Sequence, residues 1–327
     1  MIDQFGRTIT YLRLSVTDRC NLRCTYCMPQ AMRFERSDAL LGWDELETVA
    51  HAFVALGVRR LRLTGGEPLV RKGLVKFVGR LSHHLRSGAL DEITMTTNGT
   101  QLERHAQALA NNGIARINVS LDSLDPARFA SITRGHMVGQ VIAGIDAALA
   151  AGIAVKLNTV VLRHGNLDQL VDLAQWAHRR GASISFIEVM PLGDVDQSRL
   201  DQHVPMAAAR ELLEQRWTLT PSAARTGGPA RYFTTHEGGT IGFITPLTEN
   251  FCGGCNRVRV TATGQLCLCL GQDEGIDLRA MLRDGERTQP IERAIAAAMS
   301  DKPLGHDFRI AGRVSGALAR HMSVTGG

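Results

Sequence analysis

Seven cysteines in 327 residues fall into two short tracts, and this crowding is the strongest chemical signal in the sequence. Cys20, Cys24 and Cys27 are separated by three and two residues and follow directly on an expected short strand. Three thiolates this close suit zinc or an iron–sulfur cluster. Structural zinc wants four protein ligands, normally as two paired knuckles, and no fourth ligand lies nearby. On a four-iron cube, three cysteines leave one iron open to another ligand. The second tract is Cys252-x2-Cys255, followed by Cys267 and Cys269. Taken alone it reads equally as a zinc ribbon or an iron–sulfur site. Cys267 and Cys269 are two apart on a strand and share a face, so spacing does not choose between their sulfurs.

Basic residues form the next signal. Arg257 and Arg259 share one strand face, which in most proteins is simply solvated. Guanidinium groups match phosphate oxygens bidentately, and with Arg13, Arg62 and Lys156 the pair approaches the charge a triphosphate needs. The cluster Arg59, Arg60 and Arg62 also suits a phosphorylated small molecule. A net charge of +5 without a Lys/Arg tract does not point to nucleic acid. The composition, 44% hydrophobic and 21% charged, is that of an ordered globular protein. With no membrane-length apolar run and no signal-peptide pattern at Met1–Thr10, the expected location is the cytoplasm, away from membranes. The cysteine crowding fits that reducing compartment. The eleven histidines are expected to be scattered surface or core residues with no ligand spacing.

These groups need a frame. Strands are expected at Tyr11–Val16, Arg59–Leu63, Glu92–Thr96, Arg116–Val119, Val155–Val160 and Ile184–Ile187. Amphipathic helices such as Asp44–Leu56 and Leu167–Arg179 lie between them and stop at Gly57 and Gly181. Alternation of this kind implies a parallel sheet covered by helices. Six units are too few for a closed eight-stranded barrel, and no glycine-rich dinucleotide fingerprint follows the first strand. The expected fold is therefore α/β, an open partial (β/α)6 barrel. The rhythm breaks after Pro191, which gives a division near Gln215 into residues 1–215 and a C-terminal cluster-binding extension, residues 216–327. Gly65-Gly66, Thr96, Ser120 and Asn158 fall at strand ends, where such folds collect ligand contacts.

The words around the cysteines carry a specific resemblance. Cys20–Cys27, with Tyr26 before the last cysteine, resembles the motif of the radical S-adenosylmethionine (SAM) superfamily. The runs Leu12–Cys24, Thr64–Leu69, Thr96–Gly99, Asn118–Asp122 and Phe251–Thr261 are similar to the GTP 3′,8-cyclase (MoaA) family of molybdenum cofactor biosynthesis. The likeness extends over nearly the whole chain.

That resemblance implies two [4Fe–4S] clusters, the first on Cys20, Cys24 and Cys27 and the second on Cys252, Cys255 and Cys269. Cys267 is left as a buried or auxiliary thiol. It implies SAM contacts at Tyr26, Gly66, Ser120 and Met190, and GTP contacts at Arg62 and Thr96, to which the charge reading adds Arg13, Lys156, Arg257 and Arg259. No side chain is singled out as catalytic. The implied reaction is a lyase-type radical cyclisation joining ribose C3′ of GTP to guanine C8, the first step towards molybdopterin. Implied partners are an electron donor and the downstream cyclic pyranopterin monophosphate synthase, with a homodimer left open. The ending Gly326-Gly327 implies a tail reaching the active site, anchored by Arg313 and Arg320. Ser185 stands where the family usually has arginine, which removes a cation. The alternatives are a radical SAM enzyme modifying a peptide or RNA, and a non-catalytic zinc-binding interaction module.

Overall fold

The computed structural model describes all residues except 136, 194, 196–198, 250, 284–287, 307, 309–319 and 327, and the side chains of 199, 200, 288 and 289. Six strands alternate with helices as the sequence pattern requires: β1 (Tyr11–Ser15), β2 (Arg60–Thr64), β3 (Glu92–Thr97), β4 (Arg116–Ser120), β5 (Ala154–Val161) and β6 (Ser183–Glu188). The helices between them are α1 (Trp43–Ala55), α2 (Leu74–Arg86), α3 (Leu102–Asn111), α4 (Pro126–Thr133), α5 (Val138–Ala150) and α6 (Leu170–Arg179). Local chemistry sets their ends. The Gly42 amide donates to Glu45 Oε2 at 2.5 Å ahead of α1, and Asp125 caps α4 by accepting from the Arg128 amide, with Pro126 in the first helical turn. Gly57 and Gly181, just past α1 and α6, take positive φ as expected.

After β6 the chain adds β7 (Leu219–Pro221), β8 (Arg231–Thr235), β9 (Thr240–Ile244), β10 (Arg257–Val260), β11 (Gln265–Cys267) and β12 (Gly275–Asp277). All join one twelve-stranded sheet in the order β12-β11-β10-β1-β2-β3-β4-β5-β6-β9-β8-β7. β10 pairs parallel with β1, and β9 pairs parallel with β6. The segment after Gln215 therefore supplies strands to both flanks of the six-unit core, and the strand order stays open from β12 to β7.

Alternation along the parallel strands divides the sheet into two unlike faces. Leu12, Leu63, Met95, Val119, Leu157 and Phe186 are fully buried in one continuous apolar core. Their immediate neighbours Arg13, Arg62, Thr96, Asn118 and Lys156 face the other way, onto a cavity of about 270 Å³. The polar inner face is what makes this barrel a site.

Candidate functional site

The first cysteine loop leaves β1 and is held from three sides. The Gly66 and Glu67 amides donate to the Thr17 and Arg19 carbonyls at 2.8 Å, and the Arg23 and Thr25 amides reach the end of α4 at Thr133 and Ile132. Tyr26 Oη donates to Asp122 Oδ2 at 2.7 Å, and Asn98 Nδ2 reaches Cys20 Sγ at 3.7 Å. Glu67, fully buried, accepts from the Leu69 and Asn98 amides and from Thr97 Oγ1, which ties the loop after β2 to the loop after β3. Burial raises its carboxyl to about 7 and that of Asp122 to about 6. Burial also pushes the Cys20 thiol up to about 11 and raises that of Cys24 well above its ordinary value. Such thiols become good ligands only when a metal displaces the proton.

The second triplet lies across the same cavity. Arg7, almost fully buried and paired with Asp3, donates to the carbonyls of Cys252, Leu304 and Pro303 at 2.8, 2.7 and 2.6 Å, strapping the amino terminus to the Cys252 loop. Burial pushes the Cys255 thiol up, but Arg257 and Lys302 outweigh it and leave it below the ordinary value; Cys269 is held above by burial. Cys267, fully buried, sits opposite Arg259 in the β10–β11 register, and Arg320 Nη1 donates to its sulfur at 2.6 Å.

No disulfide joins any of the seven cysteines. Among the described residues only His51, His83 and His84 bring three ligand atoms within 4.8 Å of one another.

Between the triplets the strand register lines up cations. Arg259, Arg13 and Arg62 are direct partners across β10, β1 and β2, and Lys156 follows on β5 beside Asn118. Burial, then mutual repulsion, pushes Arg13 and Lys156 well below their usual values, and burial followed by Arg257 holds Arg259 at about 10. Arg116, on the same face, is neutralised by a bidentate pair with Glu92 at 2.9 and 2.8 Å. Thr64 Oγ1, Thr96 Oγ1, Asn118 Oδ1 and Asn158 Oδ1 are buried without a partner among the described residues. Orphaned oxygens beside surplus cations are the mark of a pocket shaped for a polar anion.

The cavity is lined by each expected cluster cysteine, by the SAM candidates Tyr26, Gly66, Ser120 and Met190, and by all six GTP candidates. Thr226, Phe251 and Asp122 line it as well, and sequence reasoning had not chosen them. Three expectations change. The Arg59–Arg62 cluster is split, because only Arg62 reaches the cavity while Arg59 pairs with Asp91 at 2.5 Å on the surface. Gly65 and Gly66 answer first to backbone, since a Cβ on either would stand 2.4 Å from a carbonyl oxygen of the cysteine loop. The histidines are not all scattered, because packing of α1 on α2 gathers His51, His83 and His84. Of the tail residues, Gly327 and Arg313 lie outside the described residues. Gly326 accepts from Arg259 Nη1 at 2.5 Å, and a Cβ on it would collide with Thr64.

Residues 14–177 match the Radical SAM superfamily, and residues 182–308 match Molybdenum Cofactor Synthesis C. A GTP 3′,8-cyclase of Caulobacter vibrioides is 57% identical over 328 residues, covering 100% of this chain and 94% of that protein. The chain belongs to the GTP 3′,8-cyclase family. A GTP 3′,8-cyclase of Erythrobacter litoralis is 54% identical, across 100% of this chain and 98% of its own. Among solved structures, Streptococcus suis SuiB bound to S-adenosylmethionine superimposes with a TM-score of 0.59 at 15% identity, over 87% of this chain and 68% of that one. That likeness is one of fold, the radical SAM partial barrel. Among the described residues no helix is long and apolar enough to cross a membrane.

Proposed function

We propose that this cyclase-family chain acts on GTP, moving the ribose C3′ hydrogen and bonding that carbon to guanine C8 to give (8S)-3′,8-cyclo-7,8-dihydroguanosine 5′-triphosphate. The observation that carries the reading is the pair of cysteine triplets on one cavity with a row of buried cations between them. On this reading Cys20, Cys24 and Cys27 hold one [4Fe–4S] cluster, and Cys252, Cys255 and Cys269 a second. Bound there, the first cluster together with SAM would supply the one-electron radical chemistry that no side chain provides.

The chain's own residues bind and orient. Arg13, Arg62, Lys156, Arg257 and Arg259 neutralise the triphosphate, and Thr96, beside the orphaned Asn118 and Asn158 oxygens, binds sugar or base. Tyr26, Gly66, Ser120 and Met190 form the SAM side. Apolar walls at Leu22, Val160, Ile187 and Phe251 keep water from the reacting carbon. Placement at both ends of the cavity fixes the hydrogen to be moved. Gly326, held by Arg259, puts the tail beside the GTP cations, where Gly326-Gly327 assists cyclisation. Assignment as a lyase, cytoplasmic location, an external electron donor and delivery of product to cyclic pyranopterin monophosphate synthase follow from the same reading, and a homodimer is compatible with it.

Anaerobic reconstitution of cysteine variants tests it. Wild type should hold about eight irons with matching sulfide. Cys27→Ala and Cys255→Ala should each lose about half of them. Cys27→Ala should abolish release of 5′-deoxyadenosine, whereas Cys255→Ala should keep some release but lose GTP binding and cyclic product. Full product formation by Cys255→Ala with halved iron would refute the two-cluster assignment.

A further inference from the structure

The outer, helical face of the barrel carries a second cluster of ligand-type side chains that the cyclisation does not use. His51 stands in the last two turns of α1, and His83 and His84 in the last turn of α2. One ring nitrogen of each lies within 4.8 Å of the others. The His83 and His84 ring centroids are 3.7 Å apart and those of His51 and His84 5.5 Å. We propose that His51, His83 and His84 form a site for a divalent first-row transition metal, zinc above all, clamping α1 to α2.

Three further features support a ligand there. His84 is 4% exposed, and its Nε2 is buried with no partner among the described residues, which an imidazole in a settled core would rarely tolerate. The Arg80 carbonyl can only accept, so the 2.6 Å contact puts the His83 proton on Nδ1, which donates to it, and leaves the lone pair on Nε2. A backbone carbonyl on the far ring nitrogen is the usual way a ligating histidine is fixed in tautomer and direction. Both α2 histidines also sit at a helix C-terminus, where the backbone dipole favours a cation.

Arg80 is already paired with Asp44 and Glu47, and Glu47 stands one turn before His51. Nitrogens about 2.0–2.1 Å from a tetrahedral zinc lie about 3.3 Å apart, so the rings must close in from their present spacing. His51 and His83 are exposed and can turn at their surface positions. Imidazole-only donors select zinc, nickel, copper or cobalt over magnesium and calcium.

Anaerobic equilibrium dialysis of the cluster-loaded protein against buffered zinc tests this, with zinc, iron and sulfide measured together. Wild type should take up one zinc per chain without losing iron, and its thermal midpoint should rise. His51→Gln and His83→Gln should each weaken uptake by roughly tenfold or more, as loss of a ligand requires. The double variant should show neither uptake nor thermal shift while releasing 5′-deoxyadenosine at the wild-type rate. Equal uptake by the double variant, entry of zinc only as iron leaves, or no uptake by wild type would each overturn the proposal.

Discussion

Lys156 is the residue whose environment has the sharpest functional consequence. Its ammonium is buried, donates to Tyr232 Oη at 3.2 Å, and faces Arg62, Arg116 and Arg13. Burial first, then those cations, depress its pKa well below the usual 10.5, so the empty site holds its proton weakly. A bound triphosphate reverses the balance and restores the charge. Binding must then take up protons in the window between the depressed value and 10.5, and affinity must fall as pH rises through that window. Calorimetry of GTP binding in two buffers of different ionisation enthalpy should show the uptake. Lys156→Met should reduce the uptake to what Arg13 and Arg259 contribute and weaken binding by roughly 1.5–3 kcal/mol. Proton uptake unchanged in Lys156→Met would remove lysine from the phosphate site. Tyr232 belongs to the same argument. Its ring lies beside Gly242, where a Cβ would stand 3.0 Å from it, and its hydroxyl bridges Lys156 and Thr226.

At the scale of elements, β1 to β6 were legible because each is a short run with apolar residues at alternate positions, followed by a loop and a helical stretch, and the observed bounds differ from the expected ones by no more than one residue at either end. Of the later strands, β10 at Arg257 and Arg259 and β11 at Cys267 were expected, whereas β7, β8, β9, β12 and the pairing of all six were not. They are three to five residues long, and their pairing is chosen by distant chain, as when Arg257–Val260 lies along β1. The cavity-lining cysteines and arginines were placed by spacing, strand alternation and the family resemblance, which alone preferred Cys269 to Cys267. Arg7, Tyr232 and the histidine triad were not, since each acts through a partner tens to hundreds of residues away. The Gly65-Gly66 turn shows how a loop can be read correctly in place and incompletely in purpose. A Cβ at Gly66 would meet the Arg19 and Asp18 carbonyls at 2.4 and 2.7 Å, both backbone atoms that cannot swing aside. Gly66→Ala should therefore displace the cysteine loop, cost about 1–3 kcal/mol of stability and reduce SAM cleavage at least tenfold. GTP binding at the opposite end should persist. Iron content and 5′-deoxyadenosine release at wild-type levels in Gly66→Ala would mean that this backbone approach is dispensable.

Over the whole molecule, the segment after Gln215 is bound into the barrel on both sides of it. β10 lies along β1 from Tyr11↔Arg257 to Leu14↔Val260, and β9 lies along β6 from Ile184↔Ile241 to Ile187↔Ile244. The same apolar core includes Val258, Val260, Ile241 and Phe243 as well as Ile291 and Ile295. Removing residues 216–327 would bare two parallel strand edges at once, and it would strip Arg7 of the Cys252, Pro303 and Leu304 carbonyls it holds. Exposed parallel edges with apolar neighbours pair with other chains in preference to water. The division at Gln215 is on this argument one of function, with a cysteine triplet on either side, and not one of folding. Residues 1–215 expressed alone should aggregate or form soluble oligomers, and should fail to take up the first cluster although Cys20, Cys24 and Cys27 are all present. Size-exclusion chromatography with iron analysis of that fragment decides the matter. A compact monomer holding about four irons and cleaving SAM would mean that the six-unit core stands by itself, and that β9 and β10 only complete the substrate side of the cavity.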